Sequence, residues 1–236
     1  NKIFPVGGLK VVIAASPAYL ANKLSNVTYL PPFPLLNKQM GDVLIRLPDA
    51  KDADEILPKE FSYTDIKISA AENITPGKNL MYSTMPEEGQ VMRKLSANIF
   101  FINGWIKYAL GIALQNGYFD KDEEKLALAW YNYKKAIFAL AGFKMQTKQF
   151  NYTQTLDFII DSGIQSKEAE TAADYLAINP LDAEAYIVGA QEFDRLKTKY
   201  QKKIGKNFDL ADYHKKVLMS GKIPLSLLDS SLQKSY

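Results

Sequence analysis

The strongest constraint on the fold is a nearly apolar run in the middle of the chain, LSANIFFINGWIKYALGIAL. A run of this kind forms either a membrane-spanning helix or a helix buried in a large helical core. Four polar residues interrupt it, namely Ser96, Asn98, Asn103 and Lys107. The chain also has no second run of this kind. We therefore predict a buried helix over residues 89–116, in a protein that is not an integral membrane protein.

The first third of the chain has the pattern of strands and loops. Residues 9–15 (LKVVIAA) and 42–47 (DVLIRL) are short apolar runs rich in β-branched side chains, which favours strands. Between them the prolines of YLPPFPLL hold the backbone extended and exclude a helix. Residues 48–62 are charged and contain prolines, which is typical of a surface connection.

From about Glu87 onward the pattern is helical. Asp122, Glu123 and Glu124 suit the first turn of a helix over 121–146, which we expect to pack back on the helix over 89–116 as an antiparallel hairpin. Further helices are predicted over 166–178, 182–204, 209–220 and 224–233.

These patterns predict a mainly α protein with a small N-terminal β portion, in the α+β class. Residues 1–85 form the strand- and loop-rich portion and residues 86–236 the helical portion. Because 236 residues suit one large domain, we expect the two portions to form one globular unit.

The counts of cysteine and histidine limit the chemistry. The chain has no cysteine and a single histidine, His214, which excludes disulfides, thiol nucleophiles and a zinc site built from several imidazoles. The net charge is +3, from 29 basic and 26 acidic residues. Nearly all of the basic residues are lysine, whereas proteins that grip phosphates usually use arginine. We therefore predict no nucleic-acid partner.

The last hundred residues contain DFIIDSGIQ, AYIVG, GKNFDLADYH and GKIPLSLL in that order. These motifs resemble the C-terminal part of the bacterial domain-of-unknown-function family 885. Upstream, Tyr29, Pro31, Pro32 and Gly41 resemble the same family's segment before a strand. The resemblance implies a metallopeptidase-like helical core and an exported protein, periplasmic or anchored to the membrane as a lipoprotein. It also implies that an N-terminal helical half of typical members is missing here.

The chain departs from the family where zinc chemistry would reside. The family signature is approximately H-E-x-x-P-G-H-H, and the matching stretch runs from Glu72-Asn73 through Pro76-Gly77 to Lys78-Asn79. Sliding the match by one residue keeps Glu72 as the glutamate, but Ala71 then replaces the first histidine. Under either alignment the imidazoles are absent, and the resemblance predicts a degenerate zinc site.

Three further positions depart from the family in the same direction. Asn103 replaces the glutamate of F-x-E-G-W-A-x-Y, Gln165 replaces a histidine and Lys197 replaces an arginine. The resemblance thus predicts no catalytic residue, no metal and no cofactor. It leaves a remnant pocket formed by Glu72, Asn73, Lys78, Asn79, Asn103, Tyr108, Gln165, Tyr186, Lys197 and His214.

Ordinary structural roles compete with functional ones for several of these residues. His214 suits a helix histidine hydrogen-bonded to a neighbour, and Trp105 suits core packing. We expect Asn103 to make a buried hydrogen bond within the remnant pocket. Glu87 and Glu88 follow a proline and suit a helix start. The acids from Asp120 to Glu124 lack the glycine and the ligand alternation of a calcium loop. Trp130, Tyr131 and Tyr133 suit the core and surface of one helix.

Three hypotheses follow for the function. The first is a catalytically inactive metallopeptidase-like protein, retained as a binding or structural component, whose Lys78, Lys107 and Lys197 would engage a peptide, a carboxylate-bearing cell-wall fragment or a partner protein. The alternative is a hydrolase that uses Glu72 or His214 without zinc, or residues of a missing N-terminal half. The third is one subunit of a larger assembly. In each case an N-terminal half or a partner is expected to cover the helix over 89–116.

Overall fold

The computed structural model describes residues 3–5, 10–17, 19, 27–33, 40–47, 62–84, 91 and 95–233. In this part of the chain three strands precede the helices: β1 (Val11–Ala15), β2 (Val27–Leu30) and β3 (Gly41–Ile45). The helices are α1 (Tyr63–Asn73), α2 (Lys78–Ser83), α3 (Ile99–Gln115), α4 (Asp122–Gln146), α5 (Tyr152–Asp161), α6 (Ser166–Ile178), α7 (Asp182–Ile204), α8 (Leu210–Met219) and α9 (Leu225–Gln233), with a 3-10 turn at Gly205–Asn207. The protein is therefore mainly α with a small N-terminal β portion, as predicted.

The three strands form one sheet with β3 in the centre. β1 pairs with β3 in parallel and β2 pairs with it antiparallel. The sequence pattern predicted the outer strand β1 and the central strand β3 but not the outer strand β2, which lies just before the prolines. Tyr29 of β2 packs over Gly41, where a β-carbon would collide with its ring. This close approach requires glycine at the first residue of β3.

The predicted central helix begins later than its apolar pattern suggests. α3 starts at Ile99 because the side chain of Asn98 accepts a hydrogen bond from the Phe101 amide at 3.1 Å, as an N-cap does. The backbone N–H of Asn98 donates a hydrogen bond to the carbonyl oxygen of Lys222 at 3.2 Å. The predicted helix start at Glu87 and Glu88 lies outside the described residues.

α3 packs along α7, and this helix pair forms the centre of the core. The two helices approach closely at Gly104 and Gly189, where a β-carbon on Gly104 would lie 2.5 Å from the α-carbon of Gly189. The prediction that α4 packs back mainly on α3 as an antiparallel hairpin is therefore wrong. α4 instead packs mainly on α7, and it meets α3 through a few side chains, such as Leu128 in the core and the hydrogen-bonded Lys107 and Asn132.

The expectation that α3 needs a further half or a partner chain to cover it is also wrong. Phe101, Trp105, Tyr108 and Leu110 of this helix are each at most 3% exposed within the chain itself. Helices α1 and α7 supply most of the cover. Within the described ranges, no helix combines the length and the hydropathy needed to cross a membrane.

A buried ion pair joins α1 to the start of α4. The ammonium of Lys67 lies 2.7 Å from both carboxylate oxygens of Glu124, whose side chain is 1% exposed. Glu124 also accepts the backbone amide of Asp120 at 3.1 Å, and so it caps the helix as well. Glu124 of the acidic segment therefore has a structural role without a calcium ion. Its side chain is turned inward, while that of Asp122 points into solvent.

Candidate functional site

The segment that resembles the family signature forms the end of α1, a turn and the start of α2. Gly77 lies in this turn, and a β-carbon there would collide with the carbonyl of Glu72. The peptide bond between Thr75 and Pro76 is cis. The indole Nε1 of Trp105 donates to the Pro76 carbonyl at 3.0 Å, which fixes the turn against α3. The retained Gly77 therefore has a structural reason that is independent of any metal.

Glu72 is held as a carboxylate by the groups around it. Tyr131 of α4 donates its hydroxyl to Glu72 Oε2 at 2.9 Å, and Lys78 Nζ lies 3.9 Å from Oε1. Burial acts to raise the pKa of Glu72, but the positive charges of Lys78 and Lys135 and the Tyr131 hydrogen bond outweigh it. The pKa of Glu72 is therefore below its ordinary value.

Lys78 interacts with both residues that replace the start of the family signature. Besides its approach to Glu72, its ammonium donates to Asn73 Oδ1 at 3.1 Å. The Nδ2 atom of the same Asn73 side chain donates a hydrogen bond to the Ser69 carbonyl oxygen at 3.0 Å. A lysine amine thus fills the space between these two side chains.

Two more lysines lie against the neighbouring tyrosine rings. Lys107 Nζ is 5.4 Å from the centre of the Tyr186 ring and donates to Asn132 at 2.9 Å. Lys135 Nζ is 5.2 Å from the centre of the Tyr131 ring and 5.5 Å from that of Tyr186. Cations over aromatic faces are favourable contacts. Burial lowers the pKa of Lys107.

Tyr186 contributes an unusual donor to this site. Its side chain is 4% exposed, and its hydroxyl has no hydrogen-bond partner within the described part of the chain. Burial, followed by the negative charge of Glu72, raises the pKa of Tyr186 well above its ordinary value. The hydroxyl therefore keeps its proton and can donate it. We name the whole group the lysine–tyrosine cluster: Glu72, Lys78, Lys107, Tyr131, Lys135 and Tyr186.

Asn79 does not belong to this cluster although it follows Lys78. Its Oδ1 accepts a hydrogen bond from the Tyr29 hydroxyl at 3.1 Å, which connects α2 to the sheet. Its Nδ2 is buried and has no partner among the described residues. Burial is the main reason that the pKa of Tyr29 is raised. The residue opposite the family's last histidine thus serves the packing of the sheet.

Tyr108 and His214 form a separate buried pair. The Tyr108 hydroxyl lies 2.8 Å from His214 Nε2, and His214 Nδ1 lies 2.7 Å from the carbonyl oxygen of Ile3. Because a carbonyl only accepts, Nδ1 carries the proton and Nε2 accepts from Tyr108. Burial lowers the pKa of His214 to about 4, so the ring is neutral at pH 7. The predicted role of His214 as a hydrogen-bonded helix residue is confirmed.

Lys197 belongs to the surroundings of this pair. Its ammonium lies 5.2 Å from the centre of the Tyr108 ring and forms an ion pair with Asp194 at 3.0 Å. Phe4 stacks on the imidazole of His214, with ring centres 4.7 Å apart. Trp105 meets the same imidazole edge-on at 5.7 Å.

Two predicted pocket residues lie elsewhere. The side-chain amide of Asn103 donates to the carbonyl and to the carboxylate of Asp182 at 3.0 and 2.8 Å, and so it ties α3 to the first residue of α7. The prediction that Asn103 bonds within the remnant pocket is therefore wrong. Gln165 is exposed at the N-cap position of α6, which places it on the surface.

Sequence reasoning missed Tyr131 and Lys135 as members of the cluster. Both lie on the inward face of α4, at spacings of seven and eleven residues from Glu124. Because residues at such spacings share one side of a helix, the polar side chains on this face are a signal that was available in the sequence. Tyr131 was assigned only to packing.

The described residues contain no group of three or more histidine, cysteine or acidic side chains placed to hold a metal ion. A zinc ion at the signature segment would have Glu72 as its one acid there, with the Lys78 ammonium already beside it. Zinc is bound by imidazoles, thiolates and carboxylates, so these residues do not fit the ion.

A shallow groove of about 480 Å³ lies apart from these groups. It contains none of the predicted pocket residues. Arg195 and Glu192, which form an ion pair across one helical turn, lie in its wall. Its lining comes from the starts of α3 and α9 and from α7: Asn98, Phe100, Val188, Glu192, Arg195, Leu225, Ser226 and Asp229.

Residues 6–232 match the family of bacterial proteins of unknown function designated DUF885, and the chain therefore belongs to this family. No curated protein matches the chain.

Two solved structures share the fold. A protein named as a putative lipoprotein from Colwellia psychrerythraea superposes with a TM-score of 0.82 at 19% identity, over 98% of this chain and 39% of its own. A protein named in the same way from Shewanella oneidensis superposes with a TM-score of 0.79 at 19% identity, over 99% of this chain and 42% of its own. The chain thus spans about two fifths of the length of these relatives, and at this identity the likeness concerns the fold alone.

Proposed function

We propose that this chain is a catalytically inactive, metallopeptidase-like member of its family that binds a carboxylate-bearing ligand, such as a peptide, at the lysine–tyrosine cluster. The observation that carries the proposal is the position of Lys78. Its ammonium lies between Asn73 and Glu72, at 3.1 and 3.9 Å. A fixed positive charge there repels a metal dication and attracts an anion.

The composition of the cluster favours an anionic ligand. It holds three ammonium groups, of Lys78, Lys107 and Lys135, against the one carboxylate of Glu72. Desolvation destabilises the charged form of Lys107, and a bound carboxylate would compensate for that penalty. The unpartnered hydroxyl of Tyr186 supplies a further donor. A carboxylate accepts hydrogen bonds from both kinds of group.

The hydrolase alternative has less support from the geometry. A general base needs a free lone pair within reach of the substrate, but His214 is fully buried and both of its ring nitrogens are hydrogen-bonded. Glu72 is tied to Tyr131 and paired with Lys78. Catalysis through residues of a further chain half is the remaining form of this alternative. Peptidase activity of this chain on a mixed peptide library would favour it.

We propose in addition that the protein is exported and carried as a lipoprotein. The support is that both solved relatives of the same fold are named as putative lipoproteins. Fractionation of cells that express the whole gene, with detection in the envelope or in the cytoplasm, tests this proposal.

Two measurements test the inactive binding function. The first is the zinc content by mass spectrometry after chelation and reconstitution with excess zinc, where we expect no stoichiometric metal. One tightly held zinc per chain would overturn the proposal. The second is calorimetric titration with short peptides that carry a free C-terminal carboxylate and with their amidated counterparts. We expect the amidated forms to bind at least about tenfold more weakly, since one charge-assisted contact is lost.

Matched variants place the binding at the cluster. Lys78→Met and Lys107→Met each remove one ammonium and should weaken binding of the free-carboxylate peptides about tenfold. Glu72→Gln removes the competing carboxylate and should strengthen it several-fold. Lys167→Met, at an exposed position of α6, is the control and should leave the affinity unchanged. Equal affinities in all four variants would contradict the proposal.

A further inference from the structure

The outer side of α4 carries an apolar stripe that the chain leaves exposed. Its larger members are exposed to between 42% and 72%, although each is a side chain that usually belongs to a core or an interface. On its other sides α4 contacts α1, α5, α6 and α7. We name these residues the outer stripe: Leu126, Ala129, Trp130, Tyr133, Ala136, Leu140 and Phe143.

The spacing of the outer stripe is that of a coiled-coil seam. Leu126, Tyr133 and Leu140 recur every seven residues, and Ala129, Ala136 and Phe143 follow each of them by three. In heptad notation these are the a and d positions of three successive repeats. They extend over about 26 Å of helix at a rise of 1.5 Å per residue.

No charged side chain interrupts the outer stripe. Lys134 and Lys135 lie within the same length of α4 but point to other neighbours. Lys134 forms an ion pair with Glu168 of α6 at 2.7 Å, and Lys135 lies over the rings of the lysine–tyrosine cluster. Tyr133 is held in place because its hydroxyl donates to the Ser162 carbonyl at 3.1 Å.

The sizes of the side chains select one partner geometry. In an antiparallel helix pair each a residue packs against a d residue of the partner. With the dyad between residues 134 and 135, Tyr133 would face the other copy's Ala136, and Leu140 would face its Ala129. Tyr133 and Leu140 then each meet an alanine, as close packing requires, while Leu126 meets the other copy's Phe143 near each end of the interface. A parallel pair would set large against large and small against small.

The charges at the two ends of α4 favour the same geometry. The helix begins with the exposed acids Asp122 and Glu123, and Lys144 and Lys148 lie at its other end. An antiparallel second copy brings the acidic end of each helix to the basic end of the other. Lys125 and Lys144 would come near each other, but each has a local partner, Asp122 for Lys125 and the Phe150 ring for Lys144.

We propose that the outer stripe is the surface through which two copies of this chain associate, as an antiparallel pair of α4 helices around a twofold axis. Such an interface is isologous, because both copies contribute the same residues. Tyr131 and Lys135 of the lysine–tyrosine cluster lie on the other side of α4, away from this interface.

Sedimentation equilibrium of the 236-residue chain over a wide range of concentrations tests the association. We expect a dimer that dissociates on dilution, and at least a tenfold weaker dimer for Ala136→Glu, which places a charge beside the dyad. Ala177→Glu makes the same change at an exposed position of α6 and should leave the dimer intact. A chain that stays monomeric at several hundred micromolar, or a dimer indifferent to Ala136→Glu, would overturn the proposal.

Cysteine crosslinking distinguishes the two orientations, because the chain has no cysteine of its own. In the antiparallel pair residue 129 lies beside residue 140 of the other copy, about 16 Å along the helix from its own counterpart. A mixture of Ala129→Cys and Leu140→Cys chains should therefore crosslink through a short bismaleimide, whereas Ala129→Cys alone should not. Efficient crosslinking of Ala129→Cys with itself would indicate a parallel pair and contradict the geometry. Unchanged circular dichroism checks that each variant is folded.

Discussion

Lys107 and Tyr108 are neighbours on α3, yet their side chains enter two different kinds of polar environment. Lys107 joins a cluster of charges that is partly open to solvent, in which lysines outnumber the single carboxylate. Tyr108 joins a neutral hydrogen-bonded pair with His214 that is sealed by aromatic rings. The first group has charge and donors to offer a ligand, while the second has satisfied its own hydrogen bonds. The family resemblance predicts a single remnant pocket that contains residues of both groups.

The largest expected difference between the two groups is in stability. His214→Ala removes a ring that packs on Phe4 and Trp105 and leaves the Ile3 carbonyl without its donor. We expect the free energy of unfolding to fall by about 4 kcal/mol. Lys78→Ala removes a partly exposed ion pair and a hydrogen bond to Asn73 and should cost about 1 to 2 kcal/mol. Urea unfolding of both variants measures this difference, and equal losses in the free energy of unfolding would contradict it.

The second difference is in the response to acid. The pKa of His214 is about 4 in the folded chain and about 6.5 when unfolded, so the unfolded state binds the proton first as the pH falls. Stability should therefore be lost between about pH 6.5 and 4, by about 3 kcal/mol in all. The nearest charges, Lys197 and Asp209, oppose each other in this effect.

Stability measured against pH separates the two groups, because Glu72 contributes to it in a lower pH range than His214. The pKa of Glu72 is lowered by folding, so its contribution is lost only below the ordinary carboxyl value of about 4.3. Urea midpoints measured from pH 8 to 3.5 give the profile. His214→Phe should flatten the part above pH 4.5 and leave the lower part unchanged. A wild-type profile without a slope between pH 6.5 and 4.5 would show that His214 is not the buried neutral group described here.

The smallest expected effect on the free energy of unfolding comes from removing one tyrosine hydroxyl from each group. Tyr108→Phe leaves His214 Nε2 without its donor and should cost about 1 to 3 kcal/mol. Tyr186→Phe removes a hydroxyl that has no partner among the described residues, and the free energy of unfolding should change by less than about 0.5 kcal/mol. Thermal unfolding of the two variants side by side tests this. A larger loss for Tyr186→Phe would mean that its hydroxyl is bonded in the folded protein.

The fold was predictable where helices are bounded by strong local signals. The helices over Ser166–Ile178 and Asp182–Ile204 were predicted with their observed bounds, because Pro180 separates them and Gly205 follows the second. Helix α1 was missed because few of its residues are buried, so its sequence lacks a clear apolar face. Helix α5 was missed although Asn151 and Gln154 form a capping box at its start.

The site was predictable only where its members are close in sequence. Glu72, Asn73 and Lys78 lie within one turn and were expected together. Tyr131 and Lys135 join them across the fold. Their helical spacing places them on one face of α4, but neither it nor the family resemblance shows which segment that face meets. The partner of α3 was missed for the same reason, since the close approach of Gly104 and Gly189 depends on two helices that are far apart in the chain.

The largely buried ion pair of Lys67 and Glu124 makes the shape of the lysine–tyrosine cluster less sensitive to ionic strength than the charges within it. It holds α1, which carries Glu72, against the start of α4, which carries Tyr131 and Lys135. Dissolved salt screens exposed charges over about 10 Å at 0.1 M but acts less on a close pair that is mostly buried. Glu124 and Lys67 are 1% and 17% exposed with their charged atoms 2.7 Å apart, whereas Glu72 and Lys78 are 19% and 26% exposed and 3.9 Å apart. Salt should therefore weaken the attraction of the cluster for an anion while the framework that arranges its charges stays in place.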